Sequence, residues 1–503
     1  MRHKTFSRIA TLSVVAVMVL SGCGREMRPQ PSEPPPTPAG PTTAATTFAQ
    51  KVSEAMTKDA MMVHITKLQE IADEHGGNRS LGSPGYDASV DYVAKALRDK
   101  GFDVQTPEFE VRLPYADKPA LTVAGAPIAA VPLEYTIGTG SDGVAGELVP
   151  ARIEDSPGCT ASDYDGLPVK GAVVLVDRGK CQFGVKQSVA AERGAVALIV
   201  ANNADGDEMG GTLGDADVKI PVIGITKASG ERLRAEPGQT TIKLTAGVRV
   251  EHTRNVIAQT KTGSTSDVVM TGAHLDSVPE GPGINDNGSG VAAVLETALQ
   301  LGPTPDVKYA VRFGFWGAEE LGLLGSNDYV ASLDVDQLKD LALYMNFDMI
   351  ASPNPGYFTI DGDQSEAPDP SMEAPRIPEG SAGIERTLVA YLKSAGKSPE
   401  DIQFEGRSDF SSFTLAGVAA GGLFTGAEEK MTPEQAERWG GEAGEPFDPN
   451  YHKESDTIDN VNQTALEING RGAAYAVALY AQDQSGRNGV PIRDDRTRHV
   501  LES

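Results

Sequence analysis

Cysteine is rare in this chain of 503 residues, with only three, and histidine is nearly as scarce, with seven. Basic residues are too few to balance the acids: 44 Lys and Arg stand against 70 Asp and Glu, net −26. That shortage argues against nucleic acid or an anionic lipid surface as a charge-recognised partner, because both need basic patches. Two of the cysteines, Cys159 and Cys181, have no histidine near them, which argues against a thiolate zinc site there. No short internal repeat is evident. The length supports more than one domain.

The longest apolar run, Ile9 to Leu20, follows Arg2, Lys4 and Arg8. It is too short to span a bilayer comfortably and fits the core of a signal peptide. Leu20-Ser-Gly-Cys23 resembles a bacterial lipobox, which implies cleavage before Cys23 and lipidation of its sulfur. Residues 1–22 hold three basic residues and no acidic one, so the mature chain carries −29. Residues 23–47, with Pro34-Pro-Pro36 and many Thr and Ala, are expected to form an extended stalk above the membrane. With Cys23 on lipid, Cys159 and Cys181 remain as a pair in an exported chain, where disulfides persist. Their bridge would close a loop worth roughly 3 kcal/mol on the chain-entropy model.

The rare histidines draw attention to Thr271-Gly-Ala-His-Leu-Asp-Ser277 and Gly283-Ile-Asn-Asp-Asn-Gly-Ser289. Asp267 to Ala273 reads as a buried strand and Val291 to Leu299 as a helix. His274 and Asp286 thus fall near the carboxyl end of a strand, where open α/β sheets gather ligands. Lys308 to Trp316 is a second strand candidate, followed by Glu319 and Glu320. Leu341 to Phe347 is a third, followed by Asp348. His452 lies far downstream in the polar loop Asn450 to Asp456. Singly, each has a bland reading: a capping pair, the acidic first turn of a helix, a turn residue. Jointly, at successive strand ends, they read as a metal site.

The chemistry needs this mixture. A bridging carboxylate holds two divalent cations about 3.5–4 Å apart, each completed by a His and another carboxylate. The cations activate water as the nucleophile. A carboxylate outside the ligand set takes the proton and returns it to the leaving amine. Imidazole with carboxylate favours zinc, with cobalt or manganese as substitutes.

His-Leu-Asp-Ser, Gly-Ile-Asn-Asp, Gly-Ala-Glu-Glu-Leu-Gly-Leu, Asn-Phe-Asp-Met and Tyr-His, in this order, resemble the co-catalytic zinc aminopeptidases typified by the secreted Streptomyces griseus enzyme. The likeness runs from about Asn255 to Leu479, with a shorter piece from about Phe48 to Val111, and extends to actinobacterial lipoproteins of this type. It implies two zinc ions per chain. His274, Asp286 and Asp348 would hold one; Asp286, Glu320 and His452 would hold the other. Glu319 would be the general base, and Tyr451 would help stabilise the tetrahedral intermediate. Asp276 would orient the His274 imidazole. Arg407, in Gly406-Arg-Ser-Asp409, matches a substrate-side segment, although Phe410 replaces the family's histidine there. The family's disulfide around its last histidine is missing. Asn450 and Ser455 flank His452 instead, so packing or hydrogen bonds must hold that loop.

The implied fold is α/β, a doubly wound mixed sheet with a β-rich insertion. The peptidase part spans 48–112 and 251–482. Within it Phe48 to Lys100 looks helical; Val90, Val93, Ala94 and Leu97 share one face and Gly101 supplies a stop. Residues 113–250 change to short β-rich runs. There Lys170 to Cys181 and Ala195 to Asn203 resemble the protease-associated domain, which carries no catalytic residues. It is expected to roof the cleft or to act as an inert spacer. Residues 483–503 are polar and expected to be a disordered tail.

The function expected is a lipid-anchored aminopeptidase, in which metal-activated water and Glu319 release N-terminal residues from peptides. It would work as a monomer on the outer face of the bacterial cytoplasmic membrane. The alternative is another exopeptidase, a carboxypeptidase, or a glutaminyl cyclase-like enzyme on the same scaffold. A catalytically dead binding module is disfavoured because no ligand is lost.

Overall fold

The structure is a computed structural model that describes residues 40–152, 157–206, 209–214, 216–365, 376–404, 406–486 and 489–501. The signal peptide, Cys23 and most of the expected stalk lie outside the described residues. Among the described residues, no helix is long and apolar enough to cross a membrane.

The peptidase part is built on one eight-stranded sheet. Its strands are β1 (Asp103–Gln105), β2 (Val256–Gln259), β3 (Ser264–His274), β4 (Tyr309–Trp316), β5 (Leu341–Phe347), β6 (Phe358–Ile360), β7 (Glu400–Ile402) and β8 (Ala419–Phe424), in the order β1-β2-β4-β3-β5-β8-β6-β7. The four central strands β4, β3, β5 and β8 run parallel, and β1, β2 and β6 introduce antiparallel pairings. The apolar runs predicted as strands are three of these, β3, β4 and β5, while β8 was not foreseen. They are continuous rather than alternating because both faces are covered. Val269 and Ala273 of β3 face the larger core, with the helices Lys58–Glu74, Gly290–Leu301 and Gln463–Gln482; Val268 and Met270 face a second core that holds Trp316 and Phe413.

The expected N-terminal helical segment is three helices: Thr43–Ala55, Lys58–Glu74 and Pro84–Lys100. Gly101 ends the third in a left-handed conformation, and Val90, Val93, Ala94 and Leu97 are buried along it. The stalk boundary at 47 is corrected. Thr42 caps a helix that begins at Thr43 and buries Ala45, Ala49 and Val52, packing on the helix Gln463–Gln482. Alanine in a stalk-like composition is also the strongest helix former, and its small side chain lets two helices approach.

The expected disordered tail is also corrected where it is described. Asp483 and Gln484 are buried, and Gln484 donates to the carbonyl of Asp267. Arg496, 3% exposed, binds the carboxylate of Asp267 and the carbonyls of Ser266 and Lys339. Arg498 donates to the carbonyls of Leu338, Leu341 and Gly417. This strap ties together the starts of β3, β5 and β8. It carries no apolar periodicity, because arginine–carbonyl bonds order it, and so it reads as disorder in sequence.

The inserted lobe has its own eight-stranded sheet, in which Val144–Pro150, Val173–Asp177, Ala197–Ala201 and Val222–Ile225 run parallel. Cys159 and Cys181 are bonded as expected. A two-stranded antiparallel stem, Glu108–Ala116 with Ala246–Arg254, joins lobe and peptidase. The boundary read from sequence, 113–250, cuts this stem near the rung that pairs Arg112 with Val250.

Candidate metal centre

The carboxyl ends of β3, β4 and β5 deliver the candidate ligands to one point. His274 is the last residue of β3, and Asp348 directly follows β5. Glu319 and Glu320 lie in the turn after β4. Asp286 lies in the glycine-rich turn before the helix Gly290–Leu301, where the Asp286–Asn287 peptide bond is cis. His452, with φ of +56°, is brought in by the long loop after β8.

Asp286 stands between the two histidines. Its Oδ1 is 3.2 Å from Nε2 of His274, and its Oδ2 is 3.3 Å from Nε2 of His452. Each histidine faces a second carboxylate: His274 Nε2 is 3.3 Å from Asp348 Oδ1, and His452 Nε2 is 3.0 Å from Glu320 Oε2. Two more groupings of close ligand atoms, His274 with Asp286 and Glu320, and His274 with Glu319 and Asp348, overlap at this point. Glu320 Oε1 and Asp348 Oδ1 are buried and have no hydrogen-bond partner. Buried carboxylate oxygens without partners are costly unless a cation coordinates them. The donor set therefore fits divalent metal.

The electrostatics agree. Burial opposes ionisation of Asp286, but the two histidines outweigh it and hold the carboxyl well below the usual range. Burial also disfavours charge on His452, yet Asp286 and Glu320 raise it to about 10. Burial pushes Glu320 up to about 7, with Asp286 adding and His452 opposing. Glu319 is pushed well above the usual range by burial; His274 opposes this, and Asp409, Asp348 and Glu320 reinforce it. A carboxyl raised toward neutrality is suited to taking and returning a proton.

Asp276 was expected to orient His274 through its carboxylate; the structure gives that contact to its backbone instead. Its backbone carbonyl lies 3.2 Å from His274 Nδ1, while its carboxylate is 3.7 Å away. The carboxylate instead accepts the backbone N–H of Glu319 at 3.1 Å and of Glu320 at 3.4 Å. Hydrogen bonds also do the work of the missing disulfide. Asp456 accepts the N–H of Asn285 at 2.8 Å and of Asp286 at 3.0 Å, tying the His452 loop to the Asp286 turn. The Tyr451 ring stacks on His452 with centroids 3.8 Å apart. Arg407 lies at the cavity rim, where Glu428, Glu429 and Tyr451 hold its guanidinium.

Several supporting residues escaped the sequence reading. Ser408 donates to Asp348 Oδ2 and accepts from Asn346, whose amide oxygen accepts from Tyr344. Both Ser408 and Asn346 sit inside quoted motifs, so proximity to Arg407 and Asp348 was the available signal. Arg79 had none. It is fully buried, and its guanidinium donates to the carbonyls of Leu275, Pro282 and Gly283, gripping the turn between His274 and Asp286.

The centre opens into a cavity of about 380 Å³ walled by Phe358, Ile360, Ile402, Leu423, Phe424 and Phe447. No described residue of the inserted lobe lines it.

Histidine and carboxylate groups at the carboxyl edge of the parallel central strands, with an apolar pocket beside them, are the arrangement of a metal-dependent hydrolase. Residues 255–477 match the model of peptidase family M28, and residues 144–233 match the PA domain. The chain is 60% identical over 501 residues, 99% of each chain, to a probable lipoprotein aminopeptidase, LpqL, of Mycobacterium tuberculosis. It is 41% identical over 440 residues to leucine aminopeptidase 2 of Arthroderma otae, covering 86% of this chain and 85% of that one. Among solved structures it is similar to the aminopeptidase of Aneurinibacillus sp. strain AM-1, with TM-score 0.65 and 27% identity over 88% of this chain and 98% of that one. It is also similar to BSAP, a zinc aminopeptidase from Bacillus subtilis, with TM-score 0.57 and 26% identity over 86% and 97% of the two chains. The protein belongs to peptidase family M28 and carries an inserted PA domain. It is an enzyme of the metallo-aminopeptidase class.

Proposed function

We propose that this protein is a lipid-anchored, zinc-dependent aminopeptidase. It releases apolar N-terminal residues from peptides at the outer face of the bacterial cytoplasmic membrane. The observation that carries the reading is Asp286, whose two oxygens face two histidines, each with its own further carboxylate. His274, Asp286 and Asp348 would hold one zinc, and Asp286, Glu320 and His452 the other. When bound, zinc supplies Lewis-acid activation of water and of the scissile carbonyl.

The chain's own residues do the rest. Glu319 takes a proton from the attacking water and returns it to the leaving amine. The Tyr451 hydroxyl is protonated at neutral pH, burial pushes it still further above its ordinary value, and it is a donor toward developing negative charge. The aromatic and aliphatic cavity wall takes the N-terminal side chain and excludes water. Relatives named as aminopeptidases, one of them a leucine aminopeptidase, support the choice of peptide end and of an apolar side chain.

The test is a panel of aminoacyl chromogenic substrates and of peptides blocked at either end, with and without chelator. Cleavage of free-amine substrates that chelator abolishes and zinc restores is the expected result. Turnover of N-blocked peptides from their carboxyl end would favour the carboxypeptidase alternative. The anchor is tested by Cys23→Ala, which should move the enzyme from the detergent phase to the aqueous phase with activity unchanged.

A further inference from the structure

The turn that carries Glu319 and Glu320 is closed by a residue outside the ligand set. Asn255 is fully buried at the point where the lobe's stem returns to the peptidase sheet, between Arg254 of the stem and Val256 of β2. Its side-chain oxygen accepts the N–H of Gly317 at 3.0 Å, and its side-chain nitrogen donates to the carbonyl of Gly325 at 2.9 Å. These partners leave one orientation for the amide. Gly325 N–H also donates to Gly317 O at 2.9 Å, so the two ends of the turn meet at a neck with Asn255 against it. The fit is close. A Cβ on Gly325 would lie 2.3 Å from Gly317 O and 2.5 Å from Asn255 Oδ1. Between these ends the chain needs left-handed Ala318 and Leu323, a conformation that side-chain residues adopt only when the surroundings enforce it.

The stem touches the same neck from outside. Asn255 N–H donates to Pro107 O, and Tyr86 donates to Arg254 O. Phe109 and Val111 of the stem pack on Ala318, the residue before Glu319. Asp276 grips the turn from within, at the N–H groups of Glu319 and Glu320.

We propose that Asn255 is a positioning residue for the Glu319–Glu320 pair. It holds the neck of their turn closed and seats the foot of the lobe's stem against it. The inserted lobe therefore reaches the reaction through the placement of these two carboxylates, with none of its described residues lining the cavity. The inference rests on the reading of Glu319 as base and Glu320 as ligand. Its physical basis is that groups orienting a ligand matter nearly as much as the ligand.

The experiment uses the full chain loaded with zinc, and the variants Asn255→Ala and Gly325→Ala. The second opens the neck from the opposite side with Asn255 intact, should the first fail to fold. In each, kcat should fall about 10–100-fold with KM unchanged, the range typical of an orienting partner. A graded chelator should remove one zinc earlier than in wild type, while the other leaves at the wild-type concentration. Unchanged kcat per bound zinc pair, or equal weakening of both zincs, would overturn the proposal and leave Asn255 as a packing residue. Failure of the base reading registers separately, as wild-type turnover in Glu319→Gln, because the zinc-release measurement does not depend on Glu319.

Discussion

Ser408 Oγ donates to Asp348 Oδ2 at 2.6 Å, which leaves Oδ1 of the same carboxylate turned toward His274 with no hydrogen-bond partner. The serine sorts the two oxygens, one for the protein and one for a cation. Ser408→Ala should therefore weaken the zinc shared with His274 and lower turnover, by about 10–100-fold for such an orienting partner. Competitive chelator titration checks it; unaltered affinity for both zincs would show that packing alone holds Asp348.

Glu319→Gln removes a proton acceptor and no ligand. Zinc content should match that of wild type while kcat drops by about 10²–10⁴-fold, the usual worth of general acid–base catalysis. Elemental analysis and kinetics on one sample decide it. A variant within a few-fold of wild type would end the assignment.

Asp286→Ala removes the carboxylate that faces both histidines. Bound zinc should fall toward one or none. Thermal stabilisation by added zinc should shrink, since a ligand at 100 times its Kd contributes about 2.7 kcal/mol to the folded state. Two tightly held zincs in the variant would show that Asp286 is not the bridge.

The apolar wall of the cavity predicts selectivity. A leucyl side chain buries three more carbons than an alanyl one, at about 0.8 kcal/mol each, so kcat/KM should favour leucyl substrates by roughly 50-fold. A preference for acidic or basic N-terminal residues would contradict it.

Arg496 is the most deeply buried cation of the C-terminal strap. Arg496→Ala should destabilise the fold by about 2–3 kcal/mol, the worth of a hydrogen bond to a charged group. Urea unfolding measures this. An unchanged midpoint would mean the strap binds without contributing to stability.

The legible part of this protein was local. The runs from Asp267, Lys308 and Leu341 are apolar on both faces, so each declared a buried strand, and each ends beside a histidine or carboxylate. Gly101 ends its helix where expected, because a left-handed stop favours glycine. Cys159 and Cys181 are bonded, as the sequence reading expected. What failed was also local in origin. The Thr/Ala segment at 43–47 and the polar segment after Gln482 have compositions shared by loops and by docked elements. Only their partners distinguish the cases: a facing helix for one, a row of strand-end carbonyls for the other.

By itself the sequence determined which side chains could bind metal and the order of strands and turns that carry them. Those depend on residue type and on periodicities of a few residues. Apart from Asp276, which its place beside His274 made legible, only tertiary structure decided which groups hold the ligands in place. Asn255 meets Gly317 and Gly325 across 62 and 70 positions of chain, Ser408 meets Asp348 across 60, and Asp456 meets Asp286 across 170. A hydrogen bond is satisfied within about 3 Å. Partners so distant along the chain become neighbours only after the sheet has formed, and no local pattern records them.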